Sequence, residues 1–230
     1  MIALSYSRIS DYRQCPAKFK MKYLDKLPNF QLKDEDKSPA LVRGGNIHKA
    51  LDEYVKTKLR GEVPSFTMPE VIRTAPLIDK IMKNYNVNTE QQISIDSEFH
   101  RIDWYSKQTW FRSIFDLVGF GPDLLILDWK TGRFGNYEGS MECMGQLHLS
   151  SIIGMILYPE YDVCSCLYWF VDHSKPIQLK INRSDLGPMK EKLIEEHARI
   201  NAEKDFDPKK NKYCYFCDSI KGQCQFATKN

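Results

Sequence analysis

The stretch FRSIFDLVGFGPDLLILDWKTGR, residues 111–133, reads as two strands around a turn. The first strand covers residues 112–118 and the second Leu124–Lys130; Gly119, Gly121, Pro122 and Asp123 supply the turn chemistry between them. Side chains alternate faces along a strand, so Leu125, Leu127 and Trp129 share one face, and Leu124, Ile126, Asp128 and Lys130 share the other. Pairing Val118 with Leu124 would set Asp116 opposite Ile126 and diagonal to Asp128. Diagonal cross-strand neighbours lie about 7–8 Å apart. Two carboxylates at that spacing can reach one hard cation, with Lys130 beside them. The ordinary alternative is an ion pair between Asp128 and Lys130 on a solvated face. The apolar LLIL before them and the tight TGR after them argue instead for a buried strand ending at a cleft, where charge needs a partner. The stretch points to metal-assisted chemistry.

The rest of the chain sets the frame. With 230 residues and 42% hydrophobic content, it is long enough for one well-buried core. A net charge of +3 does not by itself demand nucleic acid, although a local basic patch is compatible with it. The opening MIALSYSRISDY lacks the apolar run of a signal peptide, and residues 152–158 are too short to span a bilayer. The expectation is a cytoplasmic protein with no membrane partner. Seven cysteines, unevenly spread, suit thiols or metal ligands better than disulfides in a reducing compartment.

In chain order, residues 5–26 begin with Ser7 as a candidate helix cap, with a break expected at Pro16. Lys18, Lys20, Lys22 and Lys26 make this region basic, as a solvated face or a phosphate-facing one. Residues 29–39 read as a polar loop. Arg43, Gly44 and Gly45 lead into a helix whose stripe is Ile47, Ala50, Leu51, Tyr54, Val55 and Leu59, with His48 near its start. Residues 69–85 read as a helix weakened at Pro76, and residues 92–100 as a strand with Glu98 near its end. A glycine-bearing loop over 134–139 precedes a mostly buried helix, Met141–Leu157. Residues 163–171 and 177–181 read as paired strands, and residues 186–204 as an amphipathic helix. Alternating helices and strands favour a mixed α/β core.

The tail KYCYFCDSIKGQCQF places Cys214, Cys217 and Cys224 in one turn-rich segment. Three thiolates there suit a metal or cluster completed by a fourth cysteine, and Cys15 is the best candidate. Ordinary free thiols are the bland alternative, and spacing does not separate zinc from iron–sulfur. Such a set would clasp the two chain ends together. Cys143, Cys164 and Cys166 read as small buried hydrophobes.

Taken together, these motifs resemble the PD-(D/E)XK nucleases of the RecB type. More narrowly they resemble the iron–sulfur subgroup containing the CRISPR-adaptation exonucleases and the AddB nuclease domain. SYSRISDYRQCPAKF is similar to that family's opening motif, GGNIHKALDE to its histidine helix and FRSIFDLVG to its first acidic segment. LDWKTG carries the acid-x-lysine signature, GQLHL resembles the glutamine helix, and CYFC with Cys224 resembles the closing cysteine triad. The resemblance implies a restriction-endonuclease-like mixed central sheet flanked by helices. It also implies one domain over residues 1–230, with cluster-binding segments at 5–26 and 205–230. It implies that Asp116 and Asp128 bind Mg²⁺ or Mn²⁺, with the Trp129 carbonyl assisting and His48 as a further ligand. Lys130 would activate or position water and stabilise the phosphorane, Gln146 would orient a reacting group, and Glu98 would stand further out. Cys15, Cys214, Cys217 and Cys224 would hold a [4Fe–4S] cluster, with structural Zn²⁺ as the alternative. One departure stands out: where the family often has tyrosine four residues after the glutamine, this chain has Ser150.

The leading expectation is a metal-dependent DNA exonuclease acting on single-stranded ends in recombination, repair or CRISPR-type processing. Its partners would be recombination, helicase or CRISPR-adaptation proteins in a bacterial, archaeal or phage-infected cell. The second expectation is a non-catalytic DNA-binding or assembly subunit, and a weaker third is a zinc protein whose tail is a DNA-binding finger. Tyr12, Phe19, Tyr23, Tyr213, Tyr215 and Phe216 could stack on unpaired bases, although core packing suits most of them better.

Overall fold

The computed structural model describes residues 2–30, 38–134, 141–214, 217 and 224–226, the side chains of residues 29 and 141–144 excepted. The expected loop at 134–139, Tyr215, Phe216 and the Cys143 side chain therefore fall wholly or largely outside the described residues. The chain divides into two compact units, residues 1–3 with 38–194, and residues 4–37 with 195–230.

The larger unit is built on a six-stranded sheet in the order β2-β1-β3-β4-β5-β6. The strands are β1 (Asn86–Ile95), β2 (Arg101–Ile102), β3 (Phe111–Phe120), β4 (Leu124–Lys130), β5 (Val163–Phe170) and β6 (Lys175–Asn182). Every neighbouring pair is antiparallel except β4 and β5. Parallel neighbours need a long crossover, and helix α5 (Met141–Leu157) supplies it. This is the restriction-endonuclease-like mixed α/β fold that the sequence led one to expect.

The alternation read from LLILDWK holds. Leu125, Leu127 and Trp129 join Leu117 and Leu167 in a core closed by helices α3 (Pro39–Leu59) and α4 (Pro69–Asn84) through Ile47, Leu51, Val55, Val71 and Ile78. The other face of β4 meets α5 so closely that a Cβ on Gly154 would lie 2.6 Å from Ile126 Cδ1. Burial of this two-sided core is the main stabilising term, at roughly 25 cal/mol per Å² of apolar area.

Several boundaries differ from expectation for local reasons. Helix α3 does not begin after the glycines. It starts at Pro39, capped by Ser38 accepting from the Leu41 amide, and runs through Gly44 and Gly45. Gly44 is tolerated because the helix passes the end of β4, where a Cβ would sit 3.0 Å from Thr131 Oγ1. Strand β1 begins and ends earlier than the expected 92–100, because its polar first half is held by pairing with β3 rather than by an apolar pattern. The β3–β4 turn is tighter than assumed. Phe120 pairs with Leu124 and Val118 with Ile126, a two-residue shift that preserves the faces.

The smaller unit contains α1 (Tyr6–Gln14) and α2 (Pro16–Phe19), with the break before Pro16 as expected. Ser5, not Ser7, caps α1 by accepting from the Arg8 amide. Phe19 stacks on Phe206, and Tyr12 meets both rings edge-on while its hydroxyl donates to Glu203. These aromatics are core. Lys18 and Lys22 pair with Asp11, and Lys20 with Asp25, so three of the four lysines face carboxylates. Helix α6 (Leu186–Ala202) carries the division between the units. Among the described residues no helix is long and apolar enough to cross a membrane.

Candidate active site and metal centre

The site lies where the sheet forks. β3 and β4 pair from Phe120↔Leu124 to Leu117↔Leu127 and no further. Beyond that point β3 stays paired with β1 as far as Phe111, and β4 stays paired with β5 as far as Lys130. At the fork, the Trp129 amide donates to Asp116 Oδ2 at 2.7 Å, so a side-chain carboxylate takes the place of a ladder carbonyl. An extended residue directs its N–H and C=O to the same side. The Trp129 carbonyl therefore points into the same fork.

Continuing the observed register sets Asp116 across from Asp128 rather than diagonal to it. Lys130 Nζ lies 2.7 Å from Asp128 Oδ2 as an ion pair and donates to Gln146 Oε1 at 3.0 Å. Gln146, on α5, in turn donates through Nε2 to Asp128 Oδ1 at 2.6 Å. The Lys130 ammonium also lies 4.4 Å from the ring centroid of Tyr168, which is buried beside it on β5. Four of the expected residues thus converge: Asp116, Asp128, Lys130 and Gln146. Both Asp128 carboxylate oxygens are engaged, Oδ1 by Gln146 and Oδ2 by Lys130.

His48 projects from α3 and brings Nδ1 to 3.3 Å from Asp116 Oδ2. Glu98 does not join. It lies in an exposed turn beside His100. The carboxylate that sequence reasoning missed is Glu90. It falls between the pairs Thr89↔Leu117 and Gln91↔Phe115, opposite Asp116, yet it has left the ladder with φ of 50°. Ligand atoms of His48, Glu90 and Asp116 all lie within 4.8 Å of one another. Thr89 braces this corner, its Oγ1 lying 2.9 Å from the Asp116 carbonyl and 2.8 Å from Asp52 Oδ1, with one hydroxyl proton shared between the two acceptors. The available signal was weak: Glu90 sits in the polar run NVNTEQQ, with no alternation to mark a strand.

The acids at the fork repel one another. Burial, then the nearby Asp116 charge, pushes the Asp128 carboxyl up to about 6 against the pull of Lys130. Partial burial and the Asp116 and Asp52 carboxylates raise Glu90. For His48, burial lowers the pKa, but hydrogen bonding to Asp116 and the charges of Asp116, Asp128 and Glu90 outweigh it and raise it. Two carboxylates and an imidazole with ligand atoms this close, and a third carboxylate at the same fork, fit a divalent cation. Oxygen-rich donors of this kind suit Mg²⁺ or Mn²⁺.

In the smaller unit, Cys15 Sγ accepts from the Lys209 amide at 3.5 Å, and Cys214 Sγ from the Asn211 amide at 3.3 Å. The Cys217 thiol is pushed up first by burial, and further by Cys15, Cys224 and Cys214, against a lowering effect of Lys18. Cys164 and Cys166 are fully buried, with sulfurs 3.6 Å apart, as small hydrophobes would be. Ser150 is also buried.

A forked mixed sheet with an acid, an acid-x-lysine strand and a glutamine helix defines a nuclease architecture. The chain matches the PD-(D/E)XK nuclease superfamily over residues 3–225, and it belongs to that superfamily. The protein SSO0001 shares the fold, with a TM-score of 0.53 and 14% identity over 100% of this chain and 89% of that one. The alkaline exonuclease LHK-Exo of Laribacter hongkongensis is more distant, with a TM-score of 0.37 and 12% identity over 87% of this chain and 88% of that one. Its complex with dAMP gives a TM-score of 0.38 and 12% identity over 87% and 86% of the respective chains. No curated protein matches the chain in sequence.

Proposed function

We propose that the chain is a divalent-metal-dependent deoxyribonuclease that hydrolyses phosphodiester bonds, as an exonuclease on single-stranded ends. The observation that carries the reading is the closed contact set of Asp128, Lys130 and Gln146 beside the His48, Glu90 and Asp116 ligand atoms. His48, Glu90, Asp116, Asp128 and the Trp129 carbonyl would hold Mg²⁺ or Mn²⁺. When bound, the cation would supply charge to a phosphoryl oxygen and a more acidic water.

The chain's own groups do the remaining work. Lys130 brings fixed positive charge to the oxygens that become most negative in the transition state. Gln146 holds that ammonium against Asp128, so its position is set before substrate arrives. Tyr168 walls the site and favours the ammonium over its face. The intact contact set supports catalysis over a non-catalytic DNA-binding subunit.

Within a single nuclease domain over residues 1–230, segments 5–26 and 205–230 would carry Cys15, Cys214, Cys217 and Cys224 as ligands of a [4Fe–4S] cluster. Structural Zn²⁺ is the competing occupant. Amide hydrogen bonds to Cys15 and Cys214 support thiolate ligands, which are stabilised by such donors. Preference for DNA, single-stranded ends and recombination, repair or CRISPR-type partners follows the family resemblance. Digestion of 5′- and 3′-labelled strands with each end blocked in turn tests the exonuclease reading. Cleavage that persists on circular single strands would instead make the enzyme an endonuclease.

A further inference from the structure

Beyond the fork, the β1–β3 ribbon continues away from the carboxylates, and the face bearing Asp116 continues through Ile114 to Arg112. Midway along this face Ile114 is 43% exposed, and Gln92, its partner in register, is exposed too. At its far end Arg112 pairs in register with Ser94. Both carry buried polar atoms with no hydrogen-bond partner, Arg112 Nε and Ser94 Oγ. Ser94 is only 2% exposed. The Arg112 guanidinium carbon lies over Trp104, 5.0 Å from the ring centroid, and no carboxylate pairs with it among the described residues. Tyr105, next to Trp104, is 83% exposed.

Arginine is rarely left in such a state without reason. A guanidinium stacked on an indole keeps its charge and presents a fork of N–H donors matched to phosphate. A serine hydroxyl across the strand adds a third donor. The neighbouring aromatic tip offers a stacking surface for a base. Resting on the nuclease reading above, we propose that Arg112 and Ser94, floored by Trp104, bind a backbone phosphate of the nucleic-acid strand whose scissile bond lies at the Asp116–Asp128 fork. Four residues at about 3.3 Å separate Arg112 from Asp116, roughly 13 Å along the strand. That distance is about four stacked nucleotides at 3.4 Å each, and fewer if the strand is extended. The site reads the phosphate, so it takes DNA and RNA strands alike. Choice of sugar is left to the fork.

The test is binding rather than turnover. A fluorescent 12-nucleotide single strand is titrated into the full chain in EDTA across a salt series, for wild type and for Arg112→Ala, Arg112→Lys and Ser94→Ala. Melting temperatures are recorded alongside. Arg112→Ala is expected to weaken binding at least tenfold and to reduce the salt slope by about one. Ser94→Ala should weaken it a few-fold, and Arg112→Lys should recover the slope but not the full affinity. Wild-type affinity and salt slope in Arg112→Ala and Ser94→Ala would overturn the assignment; if Arg112→Ala does not fold, Ser94→Ala and Arg112→Lys decide it. A wild type that binds but never cleaves removes the nuclease reading and leaves this site standing, whereas a wild type that binds no strand removes this site.

Discussion

The backbone amide of Trp129 donates to the carboxylate of Asp116 at 2.7 Å, across the point where β3 and β4 stop pairing. This bond ties the first acidic position to the acid-x-lysine strand. It lets the sheet open into a cleft without leaving the Trp129 amide unpaired, which would carry a desolvation cost of about 1–3 kcal/mol.

Lys130 and Gln146 should separate chemistry from binding. Lys130→Ala removes the ammonium in contact with Asp128, and turnover should fall by about 10²–10³-fold. Gln146→Ala frees both Asp128 and Lys130 and should cost about 10-fold or more through lost positioning. In both variants the affinity for an uncleaved strand should stay close to wild type. Steady-state kinetics beside equilibrium binding checks this. A Lys130→Ala enzyme with wild-type turnover would contradict the assignment.

Glu90 makes an opposed pair of predictions. A non-glycine residue at positive φ costs of order 1–3 kcal/mol. Glu90→Gly should therefore stabilise the metal-free protein by up to about 1 kcal/mol, since glycine accepts that backbone readily. The same change should weaken Mn²⁺ binding about tenfold or more, as should Glu90→Gln. Denaturant melts and calorimetric Mn²⁺ titration read the two effects separately. Loss of stability with unchanged Mn²⁺ affinity would make Glu90 a structural residue.

The site's protonation gives a pH signature. His48, Glu90 and Asp128 all have raised pKa values in the fold, so the folded protein holds these protons more tightly than the unfolded chain. Their contribution to stability is complete below the unfolded values and is lost as pH rises through the folded ones. For Asp128 that window runs from 3.8 to about 6. Metal ligation needs the deprotonated groups. Mn²⁺ should therefore raise the melting temperature more at pH 8 than at pH 5, and binding near pH 6 should release protons. A thermal shift independent of pH would count against a cation at this fork.

Much of this arrangement was legible in the sequence, and the parts that were not share a physical cause. The apolar run of β4 and the length of α5 stood out because buried elements carry unbroken apolar patterns. The turn register did not, because Gly119 and Phe120 remain extended where glycine suggested a bend. β1 was hidden because its first half is polar and is held by neighbours rather than by burial. Glu90 was hidden with it. His48 became a candidate ligand only through the resemblance, since a lone histidine beside an apolar stripe has no distinguishing pattern. The structure then placed it 3.3 Å from Asp116.

The cysteine set should behave independently of the fork, because every fork residue lies within residues 38–194 and every candidate cluster ligand lies outside them. Cys217→Ser should abolish bound iron or zinc and lower the melting temperature. Mn²⁺ affinity at the fork should stay within about two-fold. Metal analysis and visible absorbance of anaerobically purified protein distinguish a [4Fe–4S] cluster from zinc. Protein carrying neither metal would remove the cluster proposal.

The most direct measurement is hydrolysis of an end-labelled single-stranded DNA by wild type, Asp128→Asn and Lys130→Ala, each with Mg²⁺, Mn²⁺ or EDTA. The fork predicts metal-dependent release of labelled product by wild type, none in EDTA, and a loss of about 10²-fold or more in both variants while they still bind the strand. Equal hydrolysis by all three proteins, or hydrolysis undiminished by EDTA, would contradict it.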